Sequence, residues 1–265
     1  MARRARIPRN HPRYESLMVR ERLVSGLERG LVAKEGLLAH GRGEAFDYLL
    51  GERTQPEARR AARAAAALLL LARRPVLSVN GNTAALVPGE IVRLARAIPR
   101  SALEVNLFYR NKERARRVAA ELRRFGATEV LGERPDARLP GLSSSRALCT
   151  REGILSADVL LIPLEDGDRA EALKRAGKTV IAIDLNPLSR TARVADVTIV
   201  DNIVRAVPEL ERQVRRLRYR PTRALMRITR AFDNERNLRL ALRRINERLG
   251  RLSSSGTPLV LESRR

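Results

Sequence analysis

The chain has 265 residues, of which 44% are hydrophobic and 3% aromatic, and it contains no Trp. This length allows one large α/β domain, or a sheet domain with a helical appendage, around an aliphatic core. The formal net charge is +23, and nearly all of the positive charge is arginine. That basicity indicates either a polyanion partner or an arginine-rich, ion-paired surface of the kind that genome or temperature bias produces. We favour the second, because the charge is spread over many predicted helices and aromatic residues rarely interleave with it.

Three further features exclude classes of protein. Cys149 is the only cysteine, so neither an intrachain disulfide nor a cysteine-based zinc site is possible. The longest apolar run covers nine residues, 64–72, which is too short to span a bilayer. Arg3, Arg4 and Arg6 precede no hydrophobic signal core. We therefore expect a soluble cytoplasmic protein.

The N-terminal 72 residues show helical patterns. Apolar residues at helical spacing predict a helix over Tyr14–Glu28, which Gly30 would stop, and a short helix over 44–50. A third helix is predicted to begin at Thr54, where Glu57 would complete a capping box, and to run to Ala72 as a largely buried, alanine-rich helix.

Strands and helices then alternate, which predicts a Rossmann-like, doubly wound and mostly parallel sheet with helices on both faces. Strands are predicted over 76–79, 103–107, 129–131, 159–162, 179–183 and 197–200, and helices between them over 88–97, 112–125 and 168–176. C-terminal helices are predicted over 203–217 and 221–249. We expect a single domain made of an N-terminal helical segment (1–72), a sheet core (73–202), C-terminal helices (203–250) and a tail (251–265), with a loop or lid over 135–151.

Polar side chains collect where the predicted strands end, and in parallel sheets ligands bind at that edge. The clearest case is the apolar strand Thr179-Val-Ile-Ala-Ile183, which Asp184-Leu-Asn-Pro-Leu-Ser-Arg-Thr-Ala192 follows directly. Its acid, amide, hydroxyls and arginine suit a ligand that carries sugar hydroxyls and phosphates. The other strand ends carry Asn80-Gly-Asn82, Phe108-Tyr-Arg-Asn111, Pro163-Leu-Glu-Asp-Gly-Asp-Arg169 and Asp201-Asn202. No Gly-Lys-Ser/Thr phosphate loop is present, and Gly41-Arg-Gly43 follows a helix, so any nucleotide is bound in a less common way.

Both histidines lie in N-terminal segments, His11-Pro-Arg-Tyr-Glu-Ser-Leu17 with Arg20, and Ala39-His-Gly-Arg-Gly-Glu-Ala-Phe-Asp-Tyr48. Two histidines without a third ligand make a weak case for a metal site. Gly41 and Gly43 predict a tight turn that presents Arg42 to a ligand. The alternative is a turn between helices with an incidental arginine.

Together these segments resemble the archaeal phosphopantothenate synthetases, the 4-phosphopantoate–β-alanine ligases. The resemblance spans roughly residues 7–206 and continues more weakly through the C-terminal helices. The stretches that carry it are His11-Pro-Arg-Tyr14, Gly36-Leu-Leu-Ala-His-Gly-Arg-Gly-Glu-Ala-Phe-Asp-Tyr-Leu49, Ser78-Val-Asn-Gly-Asn82, Asn106-Leu-Phe-Tyr-Arg110, Pro163-Leu-Glu-Asp-Gly-Asp-Arg169, Ile183-Asp-Leu-Asn-Pro-Leu-Ser-Arg-Thr-Ala192 and Ala195-Asp-Val-Thr-Ile-Val-Asp-Asn-Ile-Val-Arg-Ala206.

The resemblance implies a coenzyme A biosynthesis enzyme that joins 4-phosphopantoate to β-alanine and cleaves ATP to AMP and pyrophosphate through an acyl-adenylate, with Mg²⁺ expected. It implies a homodimer, which the apolar surface of the alanine-rich helix and of the C-terminal helices also favours. No covalent protein nucleophile is needed, and no catalytic residue or metal ligand is assigned. By resemblance, the residues that contact ATP are Arg20, Arg42, Asp184, Leu185, Asn186, Arg190, Thr191, Asn202 and Ile203.

Residues that bind 4-phosphopantoate and β-alanine are predicted only from their position at strand ends. The candidates are Asn80, Asn82, Arg110, Asp166, Asp168 and Arg169. Asp166 or Asp168 would hold Mg²⁺ or the β-alanine ammonium, or would cap the helix that follows, which we favour as the single role. Two rival functions remain open: a basic nucleic-acid-binding protein on a Rossmann-like scaffold, whose affinity would fall steeply with salt, and a nucleotide-sensing regulator without catalysis.

Overall fold

A computed structural model describes residues 7–11 and 13–254. Its central sheet has five parallel strands in the order β2-β1-β5-β6-β7. These are β1 (Pro75–Val79), β2 (Ala102–Val105), β5 (Val159–Pro163), β6 (Thr179–Ile183) and β7 (Val197–Ile199), and a short antiparallel pair, β3 (Ala137–Arg138) and β4 (Leu148–Cys149), lies in the connection between β2 and β5. The predicted α/β, Rossmann-like fold is confirmed.

Helices precede, connect and follow the strands. They are α1 (Tyr14–Glu28), α2 (Lys34–Leu50), α3 (Pro56–Leu71), α4 (Gly81–Leu86), α5 (Pro88–Ala97), α6 (Lys112–Arg124), α7 (Gly167–Arg175), α8 (Arg190–Val194), α9 (Ile203–Leu217), α10 (Thr222–Arg230) and α11 (Asn234–Ser254). None of the helices among the described residues is both long and apolar enough to cross a membrane.

The order of the strands places a topological switch point between β1 and β5. From β1 the chain moves outward to β2 on one side, and the later strands are added on the other side. Loops diverge at such a point and leave a crevice beyond the carboxyl ends of the strands, where ligands bind in open α/β sheets. We therefore expect the ligand site near the loops that follow Val79 and Pro163.

The core is aliphatic and lies on both faces of the sheet. All residues of β1 and β5 are buried, as expected for parallel strands covered by helices. On one face α3 packs against α9 and α10, and its buried alanines allow this close approach. On the other face Ile154, Leu160 and Leu173 belong to a smaller cluster beneath α7.

Two predictions about the N-terminal helices are wrong. The helix predicted over 44–50 begins at Lys34, so Gly41 and Gly43 lie inside α2 rather than in a turn. Glycine costs about 1 kcal/mol in a helix interior. A Cβ at Gly43 would make only an ordinary contact with Leu185 Cδ1, at 3.6 Å, and a Cβ at Gly41 would meet nothing within 4 Å. Thr54 does not cap α3: its hydroxyl donates to Asp201 Oδ2 at 2.7 Å, and the N-cap position belongs to Gln55.

Further differences arise from contacts between distant segments. Residues 129–131 form a single bridge with β2 and no strand. The helix predicted over 221–249 is broken at 231–233, because the Asn234 side chain donates to Ala192 and Ala195 carbonyls and accepts from Thr198 N–H. The short helices α4 and α8 were not predicted, and α11 extends into the predicted tail as far as Ser254. Residues 1–6 and 255–265 lie outside the described residues.

Candidate functional site

The loop after β6 is organised around the Asp184 carboxylate. Oδ1 accepts a hydrogen bond from Asn186 N–H at 2.9 Å, and Oδ2 accepts one from the Ser189 hydroxyl. Ser189 in turn caps α8, since its Oγ accepts from Ala192 N–H at 3.0 Å. Burial raises the pKa of Asp184 above its ordinary value, against the lowering effect of these hydrogen bonds and of the Arg42 charge. The loop is thus a fixed structure with a buried acid at its centre.

Helix α2 lies across this loop and brings Arg42 close to Asp184. Gly43 contacts Leu185, and the Arg42 guanidinium is near enough to act electrostatically on the Asp184 carboxylate. Arg42 is exposed on the surface of the helix. The structure therefore brings together two segments that are about 140 residues apart in the sequence, and leaves the arginine accessible beside the acid.

Arg20 lies on the neighbouring helix α1 and is tied to α2. Its guanidinium forms an ion pair with Glu44 at 3.0 Å and donates to the Tyr48 hydroxyl at 3.1 Å. The Glu44 hydrogen bond, the largest contribution, raises the pKa of Arg20. Glu44 also accepts from Ser16 at 2.7 Å, so α1 and α2 form one polar wall, of which α2 faces the β6 loop. Elsewhere on this segment His11 Nδ1 accepts from the Arg13 N–H, which is a local structural role.

The end of β7 carries a second buried polar cluster. Asn202 caps α9 and donates from Nδ2 to Asp47 Oδ2 at 2.9 Å. Arg205 forms ion pairs with Asp47 at 2.5 Å and with Asp201 at 2.6 Å. Ile203 is buried. These contacts fix α2 against the sheet, so Asn202 and Ile203 lie behind the wall that presents Arg42.

Of the polar residues predicted between β5 and α8, some are exposed at the edge of the crevice and others hold its backbone in place. Arg190 is exposed and pairs with Asp168 and with Glu171, at 3.1 Å for the latter. Thr191 is buried, and its hydroxyl donates to the Glu165 carbonyl at 2.9 Å. Asp166 caps α7 by accepting from Arg169 N–H at 2.9 Å, so the helix-capping role that we favoured for this acid is confirmed.

A buried ion cluster lies beneath the switch point. The Glu165 carboxylate is shared by Arg146, at 2.7 Å, and Arg169, and Arg169 also donates to Ser78 Oγ at 3.2 Å. Arg146 forms a further ion pair with Asp166 at 3.1 Å. Burial opposes ionisation of Glu165, but the two guanidiniums outweigh it and lower its pKa. The Arg169 side chain is fully buried, so in this structure it supports the crevice, and its contact with a substrate stays a prediction.

The remaining predicted substrate residues hold backbone segments in place. Asn80 spans the switch point, since Nδ2 donates to Pro163 O at 2.9 Å and Oδ1 caps α4. Asn82 donates to Gly36 O at 2.8 Å, which joins α4 to α2. Arg110 donates to the carbonyls of Gly132 and Glu133. Their side chains thus build the crevice in this structure, and their contacts with a substrate stay a prediction.

The sequence interpretation missed several residues at this edge. Arg146 lies on a one-turn helix, Ser145–Ala147, inside the segment predicted as a loop or lid, and nothing in its neighbouring sequence marks it as buried. Arg114 and Glu165 were also missed. The signal available for Glu165 was its position two residues after a buried strand.

This chain is similar in sequence to a known protein family. The model of the phosphopantothenate/pantothenate synthetase family matches residues 57–248. The chain belongs to this family. The resemblance inferred from the strand-end motifs is therefore confirmed.

Curated relatives extend the family match towards the N terminus. A 4-phosphopantoate–β-alanine ligase of Thermococcus kodakarensis is 54% identical over 251 residues, 94% of this chain and 96% of that protein. The ligase of the same name from Thermococcus onnurineus is 54% identical over 95% of this chain and 96% of its own length. That from Methanosarcina mazei is 49% identical over 92% and 95%.

Proposed function

We propose that this chain is an ATP-dependent ligase that condenses 4-phosphopantoate with β-alanine, giving 4′-phosphopantothenate, AMP and pyrophosphate in coenzyme A biosynthesis. The observation that carries the proposal is 54% identity, over nearly the whole of both chains, to curated proteins of that name. The geometry supports it, because the loop after β6 and the α1–α2 wall place an acid and cations at the edge where parallel sheets bind nucleotides.

The reaction needs an activated carboxyl group. A carboxylate is a poor electrophile, because its charge is delocalised and its oxygen leaves badly. Attack of a carboxylate oxygen on the α-phosphorus of ATP expels pyrophosphate and forms an acyl-adenylate, from which the β-alanine amine displaces AMP. Such a site must neutralise triphosphate charge and align the reacting groups, so preorganised cations and positioning dominate catalysis.

We assign the ATP site to the β6 side of the edge. Asp184 would accept from the ribose hydroxyls, and Arg42 would meet the phosphates with its accessible guanidinium. Arg20, 43% exposed although it is paired with Glu44, would supply a second cation. The rest of the proposed site comprises Leu185, Asn186, Arg190, Thr191, Asn202 and Ile203. The acid substrate and β-alanine would then occupy the switch-point side, near Asn80, Asn82, Arg110, Asp166 and Asp168.

Mg²⁺ enters the proposal as the ion that ATP carries on its phosphate oxygens, since Mg²⁺ is commonly bound through substrate phosphates and few carboxylates. Among the described residues no group of three or more His, Cys, Asp or Glu side chains is placed to hold a metal ion. The described residues therefore offer no preformed cage for the ion.

The nucleic-acid-binding alternative is not favoured. Many arginines that contribute to the positive charge are paired locally with acids, for example Arg93 with Glu90 and Glu211, and Arg29 with Glu121. Such pairs are typical of an ion-paired surface, and net charge by itself carries little information about function.

A homodimer is part of the proposal, but one of its sequence arguments is wrong. The alanine-rich helix α3 is packed inside the chain against α9 and α10 and offers no free apolar face. The proposal now rests on the family resemblance and on exposed apolar side chains such as Leu38, 74% exposed, and Leu188. Sedimentation at micromolar concentration should show twice the 29.7 kDa chain mass, and a 29.7 kDa species would remove the proposal.

The proposed reaction is tested by its products. Incubation with ATP, Mg²⁺, 4-phosphopantoate and β-alanine should yield 4′-phosphopantothenate together with AMP and pyrophosphate in equal amounts. Reactions that lack either the acid or β-alanine are the controls, and neither should accumulate AMP in multiple turnovers. ADP and phosphate as products would contradict the adenylate route, and no amide product would contradict the ligase assignment.

Arg42 gives the sharpest test of the ATP site. Arg42→Ala should change the free energy of unfolding by no more than about 0.5 kcal/mol, because the side chain is exposed. It should lower kcat/KM for ATP roughly ten- to a hundredfold, since a charge-assisted phosphate hydrogen bond is worth ~1.5–3 kcal/mol. Arg42→Lys should recover part of the loss, because an ammonium lacks the planar fork.

The matched control for this variant is Arg60→Ala, which removes an exposed helical arginine from α3. It should leave ATP kinetics unchanged. Wild-type kinetics in Arg42→Ala, or loss of its fold, would show that Arg42 is not a phosphate ligand.

A further inference from the structure

Arg114 is an arginine of the crevice that forms no ion pair with any acid in the described part of the chain. It lies in the first turn of α6 and is half-buried. Nε donates to Leu31 O at 3.0 Å and Nη1 to Tyr109 O at 2.7 Å. Within residues 7–11 and 13–254, no hydrogen bond engages its Nη2 and no carboxylate pairs with it. Two backbone carbonyls thus orient the guanidinium, and no paired carboxylate compensates its charge.

The surroundings of Arg114 make that free charge costly. Burial lowers the pKa of Arg114, and repulsion from Arg146 lowers it further, against a smaller attraction from Glu35. Arg146 itself is compensated by Glu165 and Asp166. An anion bound at Arg114 would relieve the repulsion, because it supplies the opposite charge that the protein does not.

The neighbouring surface suits an anion with a compact apolar body. Phe108 and Tyr109 are 45% and 50% exposed, with ring centroids 4.9 Å apart. The Arg146 guanidinium lies 5.8 Å from the centre of the Phe108 ring, and Arg114 binds the Tyr109 carbonyl, so both arginines hold the same loop. Gly81 lies next to both the guanidinium and the carbonyl that it binds, since a Cβ there would clash with Leu31 O and would be 2.8 Å from Arg114 Nη2.

The order of the strands indicates the direction in which the acid substrate of the proposed reaction lies. 4-Phosphopantoate carries its carboxylate at one end and its phosphate at the other, with a dimethyl-substituted carbon between them. The carboxylate must face ATP on the β6 side. β2 lies three strands from β6, about 14 Å away at about 4.8 Å per spacing. The phosphate end therefore points towards the loop that follows β2, where Arg114 and the two aromatic rings lie.

We propose that Arg114 binds the phosphate group of the acid substrate and so selects 4-phosphopantoate over pantoate. This inference rests on the proposed function and assigns a specificity residue to it. The distinction between the phosphorylated and the unphosphorylated acid matters within the family, whose description covers phosphopantothenate as well as pantothenate synthesis. Arg146 is a positioning residue, since its buried ion pairs fix it beneath the Phe108–Tyr109 loop to which Arg114 binds.

The test compares Arg114→Gln with wild type on both acids at saturating ATP and β-alanine. KM for 4-phosphopantoate should rise about ten- to a hundredfold, because a charge-assisted hydrogen bond is lost. KM for ATP should stay within about twofold, since Arg114 lies away from the proposed ATP site. Pantoate, measured as a substrate or as a competitive inhibitor, should bind both proteins equally. Arg114→Lys, which keeps the charge, should recover part of the affinity for 4-phosphopantoate.

The matched control is Arg117→Gln, which removes an exposed arginine one turn along α6 that pairs with Glu113. It should keep wild-type constants for both acids. If Arg114→Gln does not fold, the same comparison on Arg114→Lys decides. Equal losses for both acids, or unchanged preference for 4-phosphopantoate, would overturn the phosphate role. A wild-type protein that makes AMP with neither acid would instead overturn the proposed function, and this inference with it.

Discussion

The edge of the sheet depends on one buried carboxylate shared by two guanidiniums. Glu165 lies two residues after the end of β5 and pairs with Arg146 and Arg169, and all three side chains are at least nine-tenths buried. Buried charges are tolerated only when they are paired, and loss of one partner would leave an uncompensated charge in the interior. Through Ser78 and the Asn106 carbonyl, the same guanidiniums reach the ends of β1 and β2. One acid thus fixes three strand ends relative to each other.

This constraint separates the arginines into two groups with different roles. Arginines paired with acids in the interior, such as Arg146, Arg169 and Arg205, hold loops and helices in place. Arg42 and Arg114 form no direct ion pair among the described residues and lie towards opposite sides of the edge, Arg42 beside Asp184 of the β6 loop and Arg114 near the loop after β2. In our proposal the first meets the phosphates of ATP and the second the phosphate of the acid. The rigid pairs preorganise the accessible ones, as electrostatic catalysis requires.

Much of the fold could be predicted from local pattern. The limits of α1, β6 and α9 follow from apolar periodicity and from clear turn residues, and they match the structure residue for residue. The errors lie where distant contacts override local preference. Gly41 and Gly43 lie inside α2, whose Phe46 and Leu49 pack against the apolar cluster that contains Leu185. Asn234 breaks a predicted helix by bonding to the segment before β7. Arg114 and Arg146 could not be found locally, because their significance depends on which charges surround them after folding.

The central claim is that this edge activates a carboxylate by joining it to the α-phosphorus of ATP. Oxygen-18 tracing tests it most directly. The acid substrate is labelled in both carboxylate oxygens and turned over with ATP and β-alanine, and the AMP and pyrophosphate are analysed by mass spectrometry. Our account predicts one labelled oxygen in each AMP and none in pyrophosphate, because the oxygen that attacks phosphorus leaves with AMP when the amide forms. Unlabelled AMP, with the label in pyrophosphate or phosphate, would contradict it.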